Sequence, residues 1–228
     1  MAYLGAFYRT YALDFWGFGE SGKKRDTYAV SDFVSLVNQF MEQLGIVHAP
    51  LVGHSMGGTV SLSVAIRYPE RVSKVVVVGS PIVGSSLAPL LKLAGYRGIA
   101  FLLFNLMGPF RAWMKYYYAR QICRDTRFPD MMDRDLSRTT VESFLRSIAS
   151  LRRTDLTPML DQVQVPSLGM YGATDKIVNP NQWRPLQKGV QRVRIERFPT
   201  CGHFPMLEEP TDFSQKLKAF LDEEMPSS

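Results

Sequence analysis

Cysteine and histidine are scarce in this chain of 228 residues, which has two of the first and three of the second. Cys123 and Cys201 lie far apart, outside any Cys-x-x-Cys spacing. Neither a structural zinc site nor a disulfide framework is expected, and two lone thiols fit a reducing compartment. Long apolar runs are also lacking. The longest, Ile99 to Phe110, is broken by Asn105, Gly108 and Pro109 and is too short to span a bilayer. Met1 to Ala12 lack the charged, apolar and small-residue order of a signal peptide, so the expected location is the cytoplasm. No run of five like charges occurs. Lys and Arg outnumber Asp and Glu by 27 to 21, but the excess is scattered over Arg97, Arg111, Lys115, Arg120, Arg124, Arg127, Arg152 and Arg153. It reads as a solvated positive surface: no nucleic-acid partner is expected, nor is membrane contact.

What is present is an alternation of strands and helices. Tyr8 to Asp14 is a short β-like run that ends in a Gly-rich turn, Asp14 to Gly22. A helix is predicted from Ser31-Asp32, with Phe33, Leu36, Val37, Phe40 and Leu44 on one face and Gly45 as its stop. Pro50 to Gly53 reads as a buried strand, Gly57 to Tyr68 as a small-residue helix, and Lys74 to Gly79 as a β-branched parallel strand. From about Pro81 to Gln164 the pattern is helical only. Strands return at Ser167 to Gly172 and Val193 to Phe198, and an amphipathic helix runs from about Thr211 to Glu224. This order predicts an α/β protein, a doubly wound and mostly parallel sheet flanked by helices. Residues 1–80 and 165–228 form its core, and 81–164 a helical cap insertion.

Gly53-His54-Ser55-Met56-Gly57-Gly58 carries the most chemical information. It matches G-x-S-x-G and lies between a strand and a helix, where a sharp turn lifts the serine hydroxyl above the sheet edge. The flanking glycines are expected because such a turn leaves no room for side chains. The Met56 N–H becomes available to a developing oxyanion. A serine needs a base to take its proton. His54 adjoins Ser55 in the turn and is expected to pack away from its hydroxyl, and His48 reads as an exposed loop residue. His203 follows the last strand and emerges at the sheet edge where Ser55 sits. Asp175, after the preceding strand, is the carboxylate expected to orient it. Gly79 to Gly84, the other topological position for the acid, holds no carboxylate. Asp14 opens a turn and is expected to bond backbone N–H groups. The order Ser55, Asp175, His203 is the one this fold uses.

These segments resemble the α/β-hydrolase superfamily, in the branch of small esterases, meta-cleavage C–C hydrolases, cofactor-free haloperoxidases and proline iminopeptidases. Asp14 to Ser21 resembles its D-x-x-G-x-G-x-S turn, Gly53 to Gly58 its elbow, Gly172 to Asp175 its acid loop and Cys201-Gly202-His203 its histidine loop. The resemblance implies a serine hydrolase with Ser55, Asp175 and His203 as its triad, and no cofactor or metal. Haloalkane dehalogenases and epoxide hydrolases are similar too, but carry Asp where Ser55 stands. The family's His-Gly loop, which supplies the second oxyanion donor, has no counterpart before Asp14. By resemblance its strand lies between the Tyr8–Asp14 and Leu51–Gly53 strands. The N-terminal strands of the natural protein are therefore expected to be missing, and activity of this form is in question.

Leu87 to Tyr118 are dense in Leu, Phe, Met and Tyr. They fit a lid lining an apolar pocket, with Phe101, Phe104 and Met107 as pocket candidates, and equally fit helix-on-helix packing within the cap. The expected substrate is a small to medium apolar acyl compound, hydrolysed as an ester through an acyl-enzyme. A meta-cleavage type C–C hydrolase and a non-catalytic member of the fold are the alternatives.

Overall fold

A computed structural model describes residues 2–24, 27–89, 112 and 114–223. Four strands form one sheet in the order β1 (Ala49–His54), β2 (Val72–Val78), β3 (Ser167–Gly172) and β4 (Val193–Phe198), every neighbouring pair parallel. The helices are α1 (Ala2–Gly5), α2 (Val30–Gln43), α3 (Met56–Arg67), α4 (Ala119–Ile122), α5 (Phe128–Ser137), α6 (Val141–Arg153), α7 (Trp183–Gly189), α8 (Pro205–Glu208) and α9 (Pro210–Asp222).

β2 shows why a valine run suits this sheet. Val75 and Val77 enter one core with Phe33 of α2 and Val60 and Val64 of α3, while Val76 and Val78 enter a second with Phe213, Leu217 and Phe220 of α9. Both faces are covered, so alternate side chains point into different cores and all are apolar. At the far end of α9 the buried amine of Lys74 donates to the carbonyls of Phe220, Leu221 and Glu223 at 3.0, 2.7 and 2.6 Å. These are terminal carbonyls that the helix itself leaves without donors.

The helix expected at Ser31 begins one residue earlier. Asp32 anchors it by accepting the Ala29 N–H at 2.8 Å, and Gly45, at φ 64°, ends it. The expected strand over Tyr8–Asp14 does not form: these residues are irregular. Local β pattern is insufficient without a neighbouring strand to pair with, and the outer strand β1 pairs only with β2. Tyr11 instead meets Phe40 edge-on, and the Tyr8 hydroxyl bonds Asp222. β1 keeps the character of an edge, with Val52 46% exposed.

The Asp14 turn is tied as its sequence suggests. Asp14 accepts the Glu20 N–H at 2.9 Å, Ser21 Oγ donates to the Asp14 carbonyl at 2.6 Å, and Gly17 and Gly19 take positive φ. Described residues in the 81–164 range are helical or irregular, apart from isolated bridges that Val83 makes with Asp155 and Leu87 with Val178. Phe101, Phe104 and Met107 lie outside the described residues. Among the described residues no helix is long and apolar enough to cross a membrane.

Candidate active site

Because all four strands run the same way, the loops after β1, β3 and β4 open at one end of the sheet. Ser55 follows β1 directly and has φ 52° and ψ −122°. It is the only non-glycine with positive φ among the described residues, a backbone state that costs about 1–3 kcal/mol and is kept where the surroundings enforce it. They do so here: Ser55 N–H donates to the Val78 carbonyl at 2.8 Å, tying the turn to the end of β2. A Cβ at Gly53 would lie 2.2 Å from the Gly57 carbonyl, and one at Gly58 would lie 1.9 Å from Ser80 Oγ. At Gly57 the same position is open. The expectation that both glycines flanking Ser55 are sterically required thus holds for Gly53; the second close approach is made by Gly58, one residue further on, where α3 passes the loop after β2. Met56 is the first residue of α3, so its N–H has no acceptor within the helix.

Asp175 and His203 form a buried pair. His203 Nδ1 donates to Asp175 Oδ2 at 2.7 Å, with side chains 3% and 2% exposed. A carboxylate only accepts, so a neutral imidazole here carries its proton on Nδ1 and its lone pair on Nε2. The other carboxylate oxygen, Oδ1, accepts the N–H groups of Ile177 and Val178 at 2.7 and 3.0 Å, which orients Asp175 before it meets the imidazole. Backbone bonds tie the two loops together: Ala173 N–H donates to the Phe198 carbonyl at 2.9 Å and Thr174 N–H to the Cys201 carbonyl at 3.0 Å. Gly172 permits this closeness, since a Cβ there would lie 1.9 Å from the Gly202 carbonyl oxygen. Gly79, just past the strand end that anchors Ser55, faces the same imidazole: its Cβ position lies 3.1 Å from His203 Nδ1.

Among the described residues no hydrogen bond joins the Ser55 and His203 side chains; the imidazole's side-chain partner is Asp175. His54 and Phe204 pack against the imidazole, with ring centroids 4.6 and 5.0 Å away. His48 is exposed. Among the described residues, no group of three or more His, Cys, Asp or Glu could hold a metal ion. Sequence reasoning missed Glu208, whose side chain is 2% exposed and accepts the Gly202 N–H at 2.9 Å, immediately before His203. Nothing in the sequence separates it from the adjacent Glu209.

The profile of the family described as alpha/beta hydrolase fold matches residues 3–210, most of the chain. The chain belongs to the α/β-hydrolase family. Among curated proteins, this hydrolase-family chain is 29% identical over 231 residues to a 2-hydroxy-6-oxononadienedioate/2-hydroxy-6-oxononatrienedioate hydrolase of Paraburkholderia phymatum, covering 96% of this chain and 78% of that protein. It is 28% identical to a 2-hydroxy-6-oxo-6-phenylhexa-2,4-dienoate hydrolase of Comamonas testosteroni, covering 96% and 79%. Among solved structures, an α/β-hydrolase enzyme from a Medee basin deep-sea metagenome superposes with a TM-score of 0.80 at 23% identity, covering 100% of this chain and 85% of that one. At that identity the likeness concerns the fold alone.

Proposed function

We propose that this α/β-hydrolase is a serine hydrolase in which Ser55 attacks a carbonyl carbon, His203 acts as base and Asp175 orients and stabilises the imidazole. One observation carries the reading: a buried Asp175–His203 pair, with Nε2 free to accept, opens at the same sheet end as a serine held in a strained turn. His203 Nε2 takes the Ser55 proton as Oγ bonds to the carbonyl carbon. The Met56 N–H stabilises the oxyanion, and the leaving alcohol departs with the proton from His203. Water, deprotonated by the same nitrogen, then releases the acid and restores Ser55. The insertion serves as a lid through its described residues, of which Ile122 and Phe128 lie against the Gly202–Phe204 loop.

A second substrate class is favoured by the curated relatives, whose names describe hydroxy-oxo-dienoates. There the bond cut would be a C–C bond beside a ketone, and the carbon leaving group would take the proton. Reaction with a fluorophosphonate, followed by mass spectrometry, should place one adduct on Ser55. Ser55→Ala should lower turnover of a short nitrophenyl ester by ~10³-fold or more. Comparing kcat/KM for that ester with that for 2-hydroxy-6-oxo-6-phenylhexa-2,4-dienoate separates the two classes. A chain that neither labels nor turns over either compound is no serine hydrolase.

A further inference from the structure

The residues on both sides of His203 rest on one stretch of the helical insertion. A Cβ at Gly202 would come within 2.9 Å of the Ile122 carbonyl at the end of α4. On the other side Phe204 packs on His203 and also on Phe128, the first residue of α5, with centroids 4.4 Å apart. Between these contacts lies the Glu208 carboxylate. Its Oε2 accepts the Gly202 N–H at 2.9 Å and its Oε1 accepts the Arg124 N–H at 3.1 Å. The Cys123 thiol lies against the same carboxylate, and the Arg124 guanidinium, 61% exposed, approaches Oε2 only to 3.5 Å. An ionised carboxylate withdrawn from water needs strong donors. Two main-chain N–H groups, one from the histidine loop and one from the insertion, supply them.

We propose that Glu208 is a positioning residue that locks the Gly202–His203 loop to the Cys123–Arg124 stretch of the insertion, so that the imidazole keeps its place relative to Ser55. The proposal rests on His203 acting as the base. Glu208 touches neither the reacting atoms nor the imidazole itself; its effect passes through the main chain at Gly202. A glutamine offers one acceptor oxygen where the carboxylate offers two. Glu208→Gln therefore leaves one of the two N–H groups unpaired while the side-chain volume is kept.

The test measures nitrophenyl ester hydrolysis and the ¹⁵N imidazole resonances of the full chain, wild type and Glu208→Gln. The expected result is a fall in kcat of ~10²-fold with KM changed less than about threefold, the signature of a misplaced reacting group. The His203 signals should shift while those of His48 stay in place. Glu208→Asp, which keeps the charge but is one methylene shorter, should recover part of kcat. A kcat within about threefold of wild type together with an unmoved His203 resonance would overturn the proposal. If the variants do not fold, amide exchange on the wild type decides: Gly202 and Arg124 N–H should be protected and open together, and independent opening rejects the lock. A wild type that hydrolyses no ester would fail the proposed function, whereas the His203 resonance and the paired amides would still decide whether Glu208 holds the loop.

Discussion

His54 Nε2–H donates to the main-chain carbonyl of His203 at 2.9 Å, and the two rings lie 4.6 Å apart at an angle of 55°. The residue beside Ser55 thus supports the backbone of His203, in keeping with the packed role expected from its place in the turn. Burial, and next the proximity of His203, lower its pKa to about 3, so His54 stays neutral and cannot compete as a proton acceptor at neutral pH.

That shift has a consequence for stability. The unfolded chain binds a proton at His54 near pH 6.5, while the folded chain resists it down to about 3. Stability from this group is therefore complete above about 6.5 and is lost as pH falls toward 3. His54→Gln, whose amide can still donate to the His203 carbonyl, should lose ~2 kcal/mol less than wild type between pH 7 and 4.5. Urea midpoints at the two pH values measure it. Parallel losses in both proteins would refute the assignment.

Asp175→Asn should separate orientation from fold. The asparagine oxygen remains bound by Ile177 and Val178 N–H, so its NH₂ must face His203 Nδ1. The imidazole then carries its proton on Nε2 and cannot accept one from Ser55. Ester turnover should fall ~10⁴-fold, the size of the loss that tautomer reversal causes in Ser-His-Asp enzymes, with the melting temperature little changed. Turnover within tenfold of wild type would show that another group orients the base.

The three glycines of the elbow should respond differently to alanine. Gly57→Ala enters open space on a helix and should stabilise by ~0.4–1 kcal/mol. Gly58→Ala meets the buried Ser80 hydroxyl and should cost ~1–3 kcal/mol. Gly53→Ala meets main chain, which cannot rotate away, and should be the worst of the three. Denaturant titrations rank them, and equal losses at Gly57 and Gly58 would contradict the packing described.

Both thiols should be inert in the folded chain. Burial, with the carboxylates of Glu208 and Glu209 nearby, pushes Cys123 up to about 11 and Cys201 up to about 12. The thiolate is the reactive form and is nearly absent at pH 8. Iodoacetamide should add no mass to the native protein and two carbamidomethyl groups after unfolding. Rapid native labelling would mean that the histidine loop opens easily.

The order of most elements and the chemical candidates were legible in local sequence pattern. A valine run, a small-residue helix and a glycine-framed serine are local patterns, and each specifies its own conformation over a few residues. Because parallel strands finish at one edge, the placement of Ser55, Asp175 and His203 after strands also implied that they share an end of the sheet. Which groups meet depends on packing between distant parts of the chain. The Tyr8–Asp14 run has a strand's side-chain pattern and forms none, because strand pairing depends on a distant neighbour rather than on its own residues. Glu208 and Glu209 are chemically alike and adjacent, yet the Glu208 side chain is 2% exposed and bridges two loops from distant parts of the chain. Gly58 has no room for a methyl group while Gly57 does, because a buried serine from another loop stands against one and not the other. Burial and contact between residues far apart in the chain set these outcomes, and no short stretch of sequence contains them.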